Sequence, residues 1–179
     1  MKNFFGHLKT VRTHRWLVFK LSILAGIPIQ GLLHDLSKYS PAELFESVKY
    51  YAGGVRSPYG KEKEERGYAP GWLHHKGRNK HHHEYWYDYG APMNSAPMPF
   101  KYFVEMICDN IAAAQNYRKK DFKLSFPLEY FNNITSKMPI NEGIKKAQEE
   151  VYKELPKKGL KETLRKKNLR KIYDKYMKK

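Results

Sequence analysis

The spacing of apolar residues constrains the fold of this chain most. Between Lys9 and Ala25 the residues Val11, His14, Val18, Leu21 and Ala25 recur every three or four positions, with Gly26 and Pro28 following as stop signals. That period marks one face of an α-helix, not the alternation of a strand. A second short helix is expected from Gln30, carrying Leu32, Leu33, His34, Asp35 and Leu36 and stopping before Pro41, since the residue preceding a proline avoids helical geometry. Ser40, Pro41 and Glu43 form a capping-box pattern that opens a third helix, running through Leu44, Phe45, Val48 and Tyr51 to Gly53. Residues 53–71 hold Gly, Pro and the run KEKEER and are expected to form a loop with one exposed helical turn. From Phe100 to Tyr117 the helical period returns, with Tyr102, Met106, Asp109, Ala113 and Tyr117 on one face. There is no strand-like alternation, internal repeat, glycine-rich phosphate loop or GxSxG elbow. The expected fold class is all-α.

A chain of 179 residues, 41% of them hydrophobic, suits one ordinary core. Residues 1–140 are expected to form the helical domain. Residues 141–179 read as a basic amphipathic helical segment, interrupted at Pro156 and packed on that domain or extending from it. The formal charge is +16, and from Lys145 to Lys179 fourteen Lys/Arg stand against five Asp/Glu. Such a balance attracts phosphorylated metabolites, nucleotides or nucleic acid, the last through the basic tail. The single cysteine, Cys108, excludes an internal disulfide and a cysteine-rich zinc site. The charged N-terminus does not read as a signal peptide, and the longest apolar run, from Leu21 to Pro28, falls far short of the roughly 20 residues that span a bilayer. The expectation is a cytoplasmic protein with no membrane partner.

The chemistry sits in polar residues that interrupt apolar patterns. His14 and Asp109 each lie on an otherwise apolar helical face, a His-Asp dipeptide follows an apolar pair at position 34, and residues 72–86 hold five of the eight histidines. A lone buried His or Asp is ordinarily a hydrogen-bonded core residue, since unpaired burial costs about 1–3 kcal/mol. The recurrence of both types at inward positions is what a borderline divalent cation requires, neutral imidazole together with carboxylate. Consecutive histidines on a helix point about 100° apart, so His75 and His82 are the expected ligands of the cluster, with His74 and His81 as their alternates and His83 as the bystander.

In this order, His14, then His34-Asp35, then Asp109, the residues resemble the HD superfamily of metal-dependent phosphohydrolases, whose lone His, His-Asp pair and distant Asp all sit on helices. The resemblance spans roughly residues 10–118 and implies an HD-like helical bundle. Histidines between the HD pair and the final Asp, supplied here by WLHHKGRNKHHHEYW, resemble the dinuclear branch of that superfamily. That branch often carries a lysine three residues after the Asp, which here is Lys38, and it implies one or two iron, manganese or zinc ions. The Gly-Tyr-Pro loop that follows the His pair in cyclic-dinucleotide phosphodiesterases is missing, because GYAP at residues 67–70 precedes the pair. The strings LLHDLSKYSP and HHKGRNKHH are also similar to an uncharacterised bacterial and phage family.

This ligand set points to hydrolysis of a phosphate ester of a nucleotide or other phosphorylated small molecule by metal-activated water. Asp35 would bridge or orient, and Lys38, Lys76, Arg78 and Lys80 would neutralise phosphate oxygens. The alternatives are a diiron oxygenase of the same superfamily, or a basic nucleic-acid-binding protein with a structural metal.

Overall fold

The computed structural model describes residues 1–92 and 94–177. Its elements are α1 (Lys2–Leu24), α2 (Pro28–Leu33), α3 (Pro41–Lys49), α4 (Pro58–Arg66), α5 (Pro70–Arg78), α6 (Phe100–Arg118), α7 (Phe126–Ile134), α8 (Glu142–Thr163) and α9 (Lys166–Met177), with short 3-10 turns between some of them. The protein is all-α, and the one β pairing among the described residues is an isolated bridge between Tyr87 and Ser95. Among the described residues no helix is long and apolar enough to cross a membrane.

Helix α1 lies along α6, and its stripe of Val11, His14, Val18, Leu21 and Ala25 is buried in full. Helix α6 is enclosed, not one-sided: every residue from Phe103 to Asp109 is buried. One apolar cluster joins Val18 and Leu21 of α1 and Ile107 and Ile111 of α6 to Phe131 of α7, Val151 and Leu155 of α8, and Leu169 and Ile172 of α9. The basic C-terminal helices therefore supply part of the same core, with their cations on the outer faces. Asn141 caps α8, its side chain accepting from the backbone N–H groups of Gly143 and Ile144. The helical path of α8 breaks at Gly159 (φ 74°) and not at Pro156, because only glycine adopts that conformation freely.

Several boundaries differ from the sequence expectation. Helix α1 starts at Lys2, seven residues before the expected Lys9. The segment expected as a loop contains α4, which opens with Pro58 and buries Tyr59 and Glu62 on one side, so that the charged run is simply its solvent face. Helix α2 stops at Leu33, and His34 and Asp35 lie outside any helix. Asp35 takes a left-handed conformation (φ 55°), which Asp tolerates better than most residues but which still costs of order 1–3 kcal/mol. Gly31 lets α2 sit this close to α1: a Cβ there would overlap Ser22 and lie 3.3 Å from the Phe19 Cα. The capping box does not form either. The Ser40 side chain makes no cap bond, and Glu43 is fully buried on the opposite side of α3.

Candidate metal centre

Five segments deliver side chains to one cluster. His14 comes from α1, Asp109 from the middle of α6, His34 and Asp35 from the turn after α2, His75 from α5, and His81 and His82 from the turn that follows α5. The break after Leu33 has a direct consequence. Adjacent residues on a helix diverge by about 100°, whereas here the His34 Nε2 lies 3.1 Å from the Asp35 Oδ2. The same holds for His81 and His82, which lie past the end of α5 with their rings 4.3 Å apart and both join the cluster.

The cluster has two halves that share Asp35. On one side the His14 Nε2 lies 3.0 Å from the Asp109 Oδ1 and 3.4 Å from the His34 Nε2, and it faces the Asp35 Oδ2 at 3.8 Å. On the other side the Asp35 Oδ1 faces the His75 Nε2 at 3.4 Å and the His81 Nε2 at 3.5 Å. His82 completes this second group. Donor atoms held ~2.1 Å from one ion sit about 3.0–3.4 Å apart, and the spacings in both halves fall near that range.

The outer nitrogens explain why the inner ones converge. The His34 Nδ1 donates to Glu105 (2.9 Å), the His81 Nδ1 donates to the same carboxylate oxygen (3.2 Å), and the His75 Nδ1 donates to Glu43 (2.8 Å). An ionised carboxylate only accepts, so each of these rings carries a proton on Nδ1 and points Nε2 inward, where it offers a lone pair when the ring is neutral. Among the described residues the Asp35 Oδ1, the His81 Nε2 and the His82 Nε2 are buried with no hydrogen-bond partner. Orphaned polar atoms in a folded core are expensive, and the Asp35 Oδ1 and His81 Nε2 lie 3.5 Å apart. These residues could hold a cation, which would take up such lone pairs.

Electrostatics agree. Burial alone would raise the Asp35 carboxyl, but His34, Lys38 and His75 outweigh it and hold it well below the usual range. Burial likewise opposes ionisation of Asp109, which hydrogen bonds from His14 and His34 keep ionised. Burial also works against Glu105, yet hydrogen bonds from His34 and His81 bring it down to about 2. For His34, burial favours the neutral ring but Asp35, Asp109 and Glu105 raise its pKa well above the ordinary value, so a proton and a cation compete for the same nitrogen. His14 and His82 are shifted down by burial first, helped by Lys38 and by His81 respectively. Lys38 pairs with the Asp35 Oδ2 and is the one cation paired with a cluster carboxylate among the described residues.

Of the residues expected from sequence, His14, His34, Asp35, His75, His82 and Asp109 come together, and so does the alternate His81. His74 does not: its Nδ1 meets Glu43 and its Nε2 accepts from Arg78. Arg78 is thereby engaged outside the cluster, and Lys80 lies over the rings of Tyr85 and Tyr102. Lys76 makes no contact with a cluster carboxylate, and its charge acts on His83, which rests near Glu84. Asn79 joins α5 to the turn after Asp35 by donating to the Ser37 Oγ and the His75 carbonyl. Sequence reasoning missed Glu43 and Glu105. Glu105 had a usable signal, being a lone acid in the apolar run YFVEMIC, four residues before Asp109. Glu43 had none, since it also fits a capping box.

Residues 3–166 match a family described as a family of unknown function (DUF5662), and the chain belongs to it. No curated protein and no solved structure matches the chain.

Proposed function

We propose that this member of DUF5662 is a metal-dependent phosphohydrolase with an HD-like dinuclear centre, acting on a nucleotide or another phosphorylated small molecule. The observation that carries the reading is Asp35, whose two carboxylate oxygens face two separate groups of histidine nitrogens. The residues fit two divalent ions: His14, His34, Asp35 and Asp109 would hold one, and Asp35, His75, His81 and His82 the other. Bound there, such ions lower the pKa of water and polarise a phosphoryl oxygen.

The chain's own groups supply the rest. Glu43 and Glu105 fix the tautomers of three ligands, so that little reorganisation is needed at the moment of reaction. Asp109 and Lys38 keep some solvent contact, with side chains 12% and 20% exposed, as does the half-buried His82, and Asp109 and Lys38 would mark the side from which a substrate enters. Lys38 is positioned to donate to a non-reacting phosphate oxygen as the ester approaches. Burial of His34, Asp35, His75 and His81 excludes bulk water from the inner side.

The test is elemental analysis of protein purified without a nickel column or chelator, followed by a phosphatase and phosphodiesterase screen with the double variant His34→Ala/Asp35→Ala as control. About two equivalents of iron, manganese or zinc, with phosphate release that the variant loses, is the expected result. Iron-dependent oxygen uptake without phosphate release would replace hydrolysis by oxygenase chemistry, and protein that takes up no metal on titration would overturn the reading.

A further inference from the structure

Residues 1–34 contain five Lys/Arg and no Asp or Glu. All five lie on α1, and Lys9, Arg12, Trp16 and Lys20, spaced i, i+3, i+7 and i+11, share its outer face. Among the described residues none of the five pairs with a carboxylate, whereas in the basic C-terminal segment Lys145, Lys153, Lys158, Arg165, Arg170 and Lys175 each do. Helix α1 therefore carries its five positive charges with no acid among them, whereas six of the twelve described cations from Lys145 to Lys175 are paired.

This face is not flat. Lys9, Arg12, Arg15, Trp16, Phe19 and Tyr39 line a cleft of about 780 Å³ between α1 and the turn that carries Asp35. Trp16 is 58% exposed, its ring lies 5.7 Å from that of Phe19, and the Lys20 ammonium sits 6.0 Å from it. The Arg15 guanidinium lies 5.4 Å from the centre of the Tyr39 ring and is locked in place by donating to the carbonyls of Leu32 and His34. Exposed aromatics alternating with unpaired cations along a groove are what an unpaired strand needs, rings for its bases and ammonium or guanidinium groups for its phosphates. A bilayer surface cannot enter a cleft, an acidic peptide does not offer a ring with every charge as a nucleotide does, and a second copy of the chain would set like charges face to face. From Lys9 to Lys20 the helix rises about 16 Å, close to the length of five nucleotides at ~3.4 Å each.

We propose that this cleft binds single-stranded nucleic acid. The assignment does not depend on the chemistry of the metal centre.

The test is fluorescence anisotropy of a labelled oligothymidylate of about ten nucleotides over a series of salt concentrations. The proteins compared are the wild-type chain, Lys9→Glu/Arg12→Glu, Trp16→Ala and the tail variant Lys167→Glu/Lys171→Glu, with circular dichroism confirming that each is folded. Engagement of the four cations Lys9, Arg12, Arg15 and Lys20 gives a slope of log affinity against log salt of about −2.8, and the Lys9/Arg12 variant flattens it by about 1.4. That variant is expected to weaken binding at least tenfold and Trp16→Ala roughly 5- to 150-fold, while the tail variant binds as the wild type does. Absence of binding by the wild type would overturn the proposal. So would loss confined to the tail variant, or wild-type binding to phosphatidylserine vesicles with none to the oligonucleotide.

Discussion

Replacing Glu105 by Gln tests the logic of the centre without touching any proposed ligand. Glu105 accepts from the His34 Nδ1, the His81 Nδ1 and the Gln30 Nε2, so one buried carboxylate orients a histidine in each half of the cluster. An amide in its place offers one acceptor oxygen and turns an N–H₂ toward the other partner. Both rings use the same oxygen, so either they or the Gln30 N–H₂ lose an acceptor, and the neutral amide is a weaker acceptor than the carboxylate in either case; together this costs about 1–3 kcal/mol in a site this buried. A cost of that size lowers the melting temperature of a chain of this length by roughly 2–12 °C. Loss of an outer carboxylate partner weakens metal binding about 10- to 100-fold, or about 1.4–2.8 kcal/mol, and here both sites are affected. The assay is competition against a chelator of known affinity, run beside melting curves with and without metal. The metal-free curves isolate the structural loss and the competition isolates the loss of affinity. A competition curve for Glu105→Gln that overlays the wild type would refute the argument that outer carboxylates aim the inner nitrogens.

Three more outcomes follow from the same geometry. His75→Ala is expected to reduce bound metal from about two equivalents to about one, while His74→Ala, whose ring faces Glu43 and Arg78, keeps about two; elemental analysis of both variants separates these neighbours. Gly31→Ala forces α2 away from Ser22 at a cost of about 1–3 kcal/mol, visible as a lower melting temperature, and it weakens metal binding as well because α2 leads directly into His34 and Asp35. Removing metal by dialysis against chelator should lower the melting temperature by roughly 8–16 °C if the ions were present near 1,000 times their dissociation constants, a change of about 4 kcal/mol; an unchanged melt would mean that the cluster holds no cation in the native protein.

The parts of this architecture that are legible in the sequence are those governed by local periodicity. His14 and Asp109 stand out because each interrupts an apolar stripe, and the stripe itself says which way the side chain points. His34 and Asp35 advertise their chemistry but not their conformation, since nothing in LLHDLSK signals that the chain leaves its helix at Leu33 and that Asp35 turns left-handed. That conformation is imposed by tertiary contacts, with Arg15 of α1 holding the Leu32 and His34 carbonyls. The same blind spot governs His81. Treated as helical it competes with His82 for one direction, but α5 ends at Arg78 and both rings turn inward. Glu43 shows the opposite failure: a local pattern, the capping box, accounts for it completely while its side chain serves a residue 32 positions away.

The outer carboxylates also tie metal binding to the fold. Glu43 joins α3 to α5 through His74 and His75, and Glu105 joins α6 to α2 through Gln30 and to the turns bearing His34 and His81. Four buried carboxylates, Asp35, Glu43, Glu105 and Asp109, therefore surround the histidines, and among the described residues Lys38 is the one Lys or Arg paired with a cluster carboxylate. Without cations this surplus of negative charge is offset by protonating imidazole, above all His34, whose pKa the carboxylates raise. A protonated nitrogen is no longer a ligand, so metal uptake must release protons and weaken as pH falls. The hydrogen bonds that hold the geometry of this cluster also make its metal-free state electrostatically unfavourable, so occupancy of the proposed centre would become part of the stability of the whole bundle.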